Sequence, residues 1–519
     1  MKYFGWIFLF FIILYIVPLA SRPMLFPAEF THAGTTMEMV FNGSGTPLFQ
    51  GKALPDTPPM AYWLTAGSVK LFGMNNFAVR LPSALAVGIT ALLIALLIQQ
   101  NLRNEKLAAL SATIYLSFST VLFSGSMATP FAIFIMTVTG ALGTAFLAMQ
   151  EERFNRRKFL LAVLSGLSSS AAFLTMGFPG FVLPLLIIAA YIVFSRRYKE
   201  LLTVIPFFLI AAAAPALPWI LQMLLAPEIF NEFIAFGNFT SAIGSCRWYI
   251  YALFLLAGLF PVIILLPASL MTGRESWGRL FRQPVCQFSV ISIIAPLLFF
   301  SAFRHAPAAM ALIFFPGLSI LVAMGLQAYF NNGGHHRSFD WMLNIWALFL
   351  VISGIIETVL WFMRSTILQE YFRFVPLTNL FLINLGITSI IGGGLLLYSL
   401  NGNWRSRLYL YFFSVAILPL AISWCIAPHP RMPEKLLRPI IRESISAAPD
   451  AVILTDSELY PAIRWCTRKT VNIINCDADI NLHNCCVILS DDSSLWQKLP
   501  RPEKRIANNG FTGAVFFSK

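Results

Sequence analysis

Charged side chains are what this sequence has least of. Asp, Glu, Lys and Arg make up 11% of its 519 residues, hydrophobic residues make up 58%, and Phe alone occurs 48 times. A water-soluble domain carries about 25% charged residues, so one large soluble fold is excluded. Cysteine is also sparse, at seven residues, which rules out a small disulfide-built scaffold. Collagen-like repetition is missing, and the hydrophobic content excludes disorder. What the chain has instead is apolar residues gathered in blocks of about 20, the length that crosses a bilayer core. This is the pattern of a polytopic membrane protein.

Thirteen such blocks run roughly over 3–20, 82–100, 107–124, 129–148, 159–176, 180–194, 201–224, 249–271, 286–303, 308–329, 341–362, 377–399 and 407–427. The first reads as a retained helix: it is long for a signal peptide, and Pro18 spoils the cleavage context. The net charge of +13 would suggest nucleic acid in a soluble protein. Sorting the basic residues by loop removes that need. With the N-terminus inside, cytoplasmic loops hold sixteen Lys and Arg and the opposite loops eight, four of those in the single long loop 21–81. The positive-inside rule then predicts a cytoplasmic N-terminus, and an odd number of spans places the C-terminus outside.

Residues 428–519 change character. They are polar, and their rhythm predicts a helix at 434–446, a strand at Ala451–Thr455, a helix at 457–467, strands at Thr470–Ile474 and Cys486–Ser490, a short helix near Leu495 and a last strand at Gly513–Phe517. Such alternation reads as a small α/β domain. The fold class is therefore an all-α polytopic membrane protein of about thirteen transmembrane helices over 1–427, followed by a small extracytoplasmic α/β domain over 428–519. Cys466, Cys476, Cys485 and Cys486 lie in that domain, where an oxidising compartment permits disulfides. Their spacing matches no zinc pattern, and adjacent Cys485 and Cys486 are not expected to pair with each other.

The loop 21–81 is where chemistry is expected. It runs about 60 residues without a membrane-spanning pattern, and long ordered loops in compact proteins are more often functional than idle. It holds Glu29, His32, Glu38, Lys52, Asp56, Lys70 and Arg80. Its run Phe26-Pro27-Ala28-Glu29-Phe30-Thr31-His32-Ala33 is followed by Met37-Glu38-Met39, by Leu54-Pro55-Asp56-Thr57-Pro58-Pro59-Met60-Ala61-Tyr62-Trp63, and by Phe72-Gly73 leading to Phe77-Ala78-Val79-Arg80-Leu81-Pro82-Ser83-Ala84. In order and spacing these segments resemble the GT-C glycosyltransferases of the bacterial aminoarabinose-transferase and protein-mannosyltransferase group. Farther on, Phe230-Asn231-Glu232-Phe233-Ile234 with Asn238, and Phe300-Ser301-Ala302-Phe303-Arg304 with Pro316, are similar to further elements of that group.

The resemblance implies transfer of a sugar from a polyprenyl-phosphate carrier to lipid A, another glycolipid or a protein, at the outer face of a bacterial inner membrane. It implies a base for the acceptor hydroxyl and cations, side chain or divalent metal, for the departing phosphate. It calls for no nucleotide-binding fingerprint, and the sequence has none. Carried onto this chain, it makes Glu29 the base, with Asp56 and His32 assisting or joining Glu29 as metal ligands. Arg304, Arg80, Lys52 and Arg247 fall to the phosphate, and Tyr62 and Asn238 to the substrate. The sequence departs from the family at two acids: Ala28 and Thr129 stand where Asp is usual, and Thr57 replaces a Lys.

Three readings stay open. In the first, Glu29 takes over as base, with His32 three residues along the same helix face. In the second, the chain is a degenerate relative that binds a lipid-linked sugar without transferring it. In the third, the register is shifted by a residue or two. The plain alternatives are a solvated loop acid for Glu29, a turn-initiating Asp56 before Thr-Pro-Pro, an ordinary loop histidine at His32, and arginines at 80 and 304 that snorkel toward headgroups. A transporter would show several intramembrane charges, and inside these spans Glu357 stands alone, with Arg407 at the edge of the last.

Overall fold

The computed structural model describes residues 2–20, 24, 27–49, 52–53, 58–224, 248–271, 274–301, 308–331, 336–363, 381–399, 404–424, 433–447, 452–456, 459–467, 471–473, 485–490, 493, 504–508 and 511–516. Every one of the thirteen apolar blocks coincides with helix there. The bundle runs α1 (Lys2–Phe11, continued by tighter turns to Leu19), α4 (Asn76–Leu102), α5 (Glu105–Ser117), α6 (Ser119–Ser126), α7 (Phe131–Gln150), α8 (Arg156–Met176), α9 (Pro179–Phe194), α10 (Glu200–Thr203) and α11 (Ile205–Leu224). Helices α2 and α3 belong to the first loop. The bundle continues with α12 (Trp248–Leu259), α13 (Leu266–Leu270), α14 (Arg274–Leu280), α15 (Pro284–Ser301), α16 (Phe314–Asn331), α17 (His336–Met363), α18 (Phe381–Tyr398) and α19 (Trp404–Trp424).

Among the described residues seven helices are long and apolar enough to cross a membrane, or nine if each bent pair counts as one span. Two blocks read as straight spans are in fact bent: α5 meets α6 at 70°, and α12 meets the following turn and α13 at 83°. The bends answer each other. The Ser119 amide donates to the Phe260 carbonyl at 2.9 Å, and Ser119 Oγ donates to the Ala257 carbonyl at 2.6 Å. In hydrocarbon every freed backbone group needs a protein partner, so each break supplies what the other has lost. Gly258 allows the crossing, since a Cβ there would lie 2.4 Å from the Phe315 ring and 2.6 Å from Thr120 Oγ1.

The first loop folds into α2 (Ala28–Phe41), the two-residue strands β1 (Leu48–Phe49) and β2 (Lys52–Ala53), and α3 (Met60–Phe72). The α2 sequence AEFTHAGTTMEMVF is rich in Thr and broken by Gly34, a poor intrinsic helix. Burial holds it together: positions 29, 30 and 32–39 are all buried. One side of α2 meets the bundle and the other meets the C-terminal residues. There, a five-stranded sheet of order β4-β3-β5-β7-β6 forms from β3 (Val452–Thr455), β4 (Val471–Ile473), β5 (Cys485–Ser490), β6 (Lys504–Asn508) and β7 (Phe511–Phe516), with α20 (Pro433–Ala447) and α21 (Tyr460–Thr467) against it. The three strands β4, β3 and β5 are parallel, and β7 and β6 antiparallel. Phe30, Met37 and Ala78 from the first-loop side share a single apolar core with Leu437, Ile463 and Ile488 of the C-terminal residues.

Strand β6 has no counterpart in the sequence reading, and the short helix expected near Leu495 lies outside the described residues. Buried Cys486 is a free thiol on β5, so it does not pair with its neighbour Cys485. Burial pushes that thiol up to about 11, which leaves it protonated and inert at neutral pH. Cys476 is outside the described residues.

Candidate functional site

The α3–α4 corner sets the geometry. Helix α3 stops at Gly73 with a φ of 79°, and Asn75 caps α4 by accepting from the Ala78 amide at 2.8 Å. Pro82 lies inside α4 and cannot donate to the Ala78 carbonyl four residues back. Ser68 Oγ of α3 donates to that carbonyl instead, at 2.6 Å, and ties the two helices together. Arg80 is thereby fixed in the early turns of α4 and pointed beneath the N-terminus of α2.

There it meets Glu29. Arg80 Nε donates to Glu29 Oε1 at 2.7 Å and Nη2 to Oε2 at 2.9 Å, a two-pronged pair in which both side chains are 0% exposed. Arg80 Nη1 donates to the Leu19 carbonyl at 3.0 Å, and the Ala128 amide donates to Glu29 Oε1 at 3.0 Å. Glu29 also sits in the first turn of α2, where the helix dipole favours a negative charge. Four segments distant in sequence, those of Leu19, Glu29, Arg80 and Ala128, meet around this one ion pair. Next to Ala128 is Thr129, whose carbonyl accepts from Ser83 Oγ at 3.0 Å. Ala28 is thus next in the chain to Glu29, and Thr129 is next to the residue whose amide donates to that carboxylate.

His32 lies one helical turn below Ala28 and is 5% exposed. Its Nε2 is 2.9 Å from Thr65 Oγ1, and that hydroxyl donates to the Ala61 carbonyl at 2.9 Å. The hydroxyl's own proton is therefore spent, so His32 Nε2 carries a proton and donates it, and Nδ1 is left bare. Nδ1 is buried and has no hydrogen-bond partner among the described residues. Tyr62 stacks on the imidazole at 4.5 Å between ring centres. Burial lowers the His32 pKa to about 4, outweighing the opposing pull of Glu29, so the ring is neutral at physiological pH.

Glu29, Arg80, His32 and Tyr62 are the expected site residues whose side chains the structure describes, and they form two adjoining pairs. Lys52 is described as backbone only, on β2 opposite Phe49. Asp56, Asn238, Arg247 and Arg304 lie outside the described residues. Arg80, expected at a phosphate, faces Glu29 instead. A metal held by Glu29 does not fit this arrangement, because a guanidinium already occupies both carboxylate oxygens. Among the described residues no group of three or more His, Cys, Asp or Glu converges.

Sequence reasoning gave Glu38 no role and did not single out Tyr460. Buried Glu38 on α2 accepts a hydrogen bond from the Tyr460 hydroxyl on α21, and Arg464 lies 5.6 Å over the Phe41 ring. Burial and the Glu38 carboxylate both push the Tyr460 hydroxyl pKa up, so it stays a donor. Gly34 lets the helices touch, since a Cβ there would be 3.3 Å from Pro461. Glu38 carried a signal, a lone acid among methionines within a recognisable motif, but its partner is 422 residues away.

Comparison with known proteins accords with this architecture. Residues 56–221 match the family model for dolichyl-phosphate-mannose-protein mannosyltransferase. The undecaprenyl phosphate-alpha-4-amino-4-deoxy-L-arabinose arabinosyl transferase of Aeromonas salmonicida is 31% identical over 65% of this chain, a match spanning 62% of that relative's length and so just under two thirds of it. The Shewanella sediminis protein of the same name is 26% identical over 97% of this chain and 96% of its own. In fold, the chain is similar to the crystal structure of ArnT from Cupriavidus metallidurans bound to undecaprenyl phosphate, with a TM-score of 0.79 at 16% identity and 98% coverage of both chains. In sequence the chain is similar to the undecaprenyl phosphate-aminoarabinose arabinosyl transferases, and in fold it is similar to ArnT.

Proposed function

We propose that this protein transfers a sugar from undecaprenyl phosphate to a lipid acceptor at the membrane face that bears the C-terminal sheet. The observation that carries this reading is relatedness along the whole chain, 97% of it against the Shewanella sediminis transferase. The orientation follows from the basic residues, sixteen of which fall in loops on one side against eight on the other. With thirteen crossings, the N-terminus is cytoplasmic, the sheet lies outside an inner membrane, and 1–427 and 428–519 are its two domains.

In the reaction the bond between the anomeric carbon and the carrier phosphate breaks, the acceptor oxygen takes its place on that carbon, and the acceptor's proton passes to a base. Glu29 is engaged on both oxygens and sealed from solvent, which favours a bracing role with Arg80 over proton transfer. The base role then falls to Asp56. Lys52, Arg247 and Arg304 stabilise the departing phosphate, Asn238 contacts sugar, and neutral His32 holds Tyr62 in place. The test is transfer of labelled aminoarabinose from undecaprenyl phosphate to lipid A by the purified chain. Asp56→Asn is expected to reduce transfer by at least 100-fold with the fold intact, a typical loss for a general base. Unchanged transfer would remove Asp56 from that role.

A second reading has an observation of its own: Ala28 and Thr129 supply no carboxylate beside the Glu29–Arg80 pair. On that reading the chain binds the lipid-linked sugar without transferring it. Donor binding without product would favour it, and absence of both binding and transfer would sink the two readings together.

A further inference from the structure

The 27-residue helix α4 begins against the C-terminal core and ends at Leu102, on the order of 40 Å away at 1.5 Å per residue. At that far end the α4–α5 turn, the start of α15 and the last two turns of α16 line a half-open cavity of about 250 Å³. Four carboxamides line it, Asn104, Gln283, Gln327 and Asn331, with Leu107 and Met324 beside them. Asn104 spends its oxygen capping α5, accepting from the Leu107 amide at 3.1 Å, so its amide hydrogens remain to donate. Gln283 Oε1 is buried and has no partner among the described residues. A buried acceptor in that state is unfavourable unless something fills its place. The space holds about eight waters' worth of volume, enough for a small polyol.

The cavity's rim is basic. Arg103 and Lys106 flank Asn104, and Arg279 and Arg282 flank Gln283; all four are exposed, with Glu105 and Glu275 the acids on the same segments. This is the end of the bundle that the positive-inside count assigns to the cytoplasm. Basic pockets between membrane helices at that level suit anionic headgroups. Carboxamides both donate to and accept from hydroxyls, which suits a glycerol better than an amine. An ammonium headgroup would instead face four cations.

We propose that this cavity binds the glycerol headgroup of an anionic phospholipid of the phosphatidylglycerol type, with the carboxamides on its hydroxyls and the basic rim on its phosphodiester. The site is separate from the sugar-transfer reading and stands or falls without it. The test uses the full purified chain and short-chain probes, dioctanoyl phosphatidylglycerol and dioctanoyl phosphatidylcholine, with binding read by native mass spectrometry and by thermal shift. The expected result is at least tenfold tighter binding of the phosphatidylglycerol probe, with the preference lost in the Gln283→Leu/Gln327→Leu double variant. Should that variant fail to fold, the exposed pair Arg279→Gln/Arg282→Gln is expected to weaken the same preference about tenfold. Equal binding of the two probes, or a preference untouched in a folded variant, overturns the proposal. So does competition by glycerol 3-phosphate as strong as by the lipid, since that would mark a site for soluble phosphates.

Discussion

Glu29 and Arg80 show how little an acid's position in a motif says about its chemistry. Motif order puts a carboxylate at the start of α2, but only the fold reveals that Arg80, 51 residues on, reaches under that helix and takes both oxygens. Removing one member of a buried pair leaves the other charge uncompensated, at about 3–5 kcal/mol. Arg80→Met is therefore expected to lower thermal stability strongly in detergent and to depress transfer only through loss of folded protein. A stable but inactive variant would return Arg80 to the substrate. His32 gives a pH signature. Its folded pKa is about 4, below the ordinary value of 6.5, so the unfolded chain takes up the proton first as pH falls. His32 thus contributes fully above about pH 6.5, and the contribution declines between there and pH 4. His32→Phe is expected to flatten the fall in melting temperature between pH 6.5 and 4.5, and an identical fall in both proteins would show that His32 is not the group responsible. The bare Nδ1 could not be read from sequence, because it follows from where the Thr65 hydroxyl sends its proton.

Among the helices, hydropathy located the apolar segments because span length is a composition signal, and seven to nine of the thirteen expected spans have that length among the described residues. Bends are not such a signal. The break at Phe118 has no proline, and what stabilises it is the Phe260 carbonyl, contributed by another block. Gly258 is the accessible test of that crossing. Gly258→Val is expected to displace Phe315 or Thr120, destabilising the protein by at least the roughly 1–3 kcal/mol typical of overpacking. Ser119→Ala should cost less, on the order of 1 kcal/mol for the lost side-chain hydrogen bond. Equal melting temperatures for Gly258→Val and wild type would mean the breaks do not meet. In the C-terminal sheet, strands rich in Val, Ile and Cys were legible, and β6 was not, since Lys504 and Arg505 mask it. The missed cue was Asn509-Gly510, the strongest short hairpin signal, standing between paired Asn508 and Phe511.

For the molecule as a unit, the C-terminal sheet is seated on the first loop, whose helix α2 lies between it and the bundle. Glu38, Gly34 and Phe41 on α2 meet Tyr460, Pro461 and Arg464 on α21, so loosening this contact is expected to expose the first loop. Tyr460→Phe removes the donor to Glu38, and Gly34→Val crowds Pro461; both are expected to speed proteolytic cleavage within 428–519, with wild-type cleavage rates contradicting the seating. Relatedness over the whole chain and a fold shared end to end make one activity the central claim, and it is tested most directly by reconstituting the purified protein with undecaprenyl phosphate-aminoarabinose and lipid A and following the labelled sugar. Label appearing on lipid A, in proportion to protein added, is the result expected. Donor that stays intact at every protein concentration, across a panel of undecaprenyl-phosphate sugars and glycolipid acceptors, would contradict it.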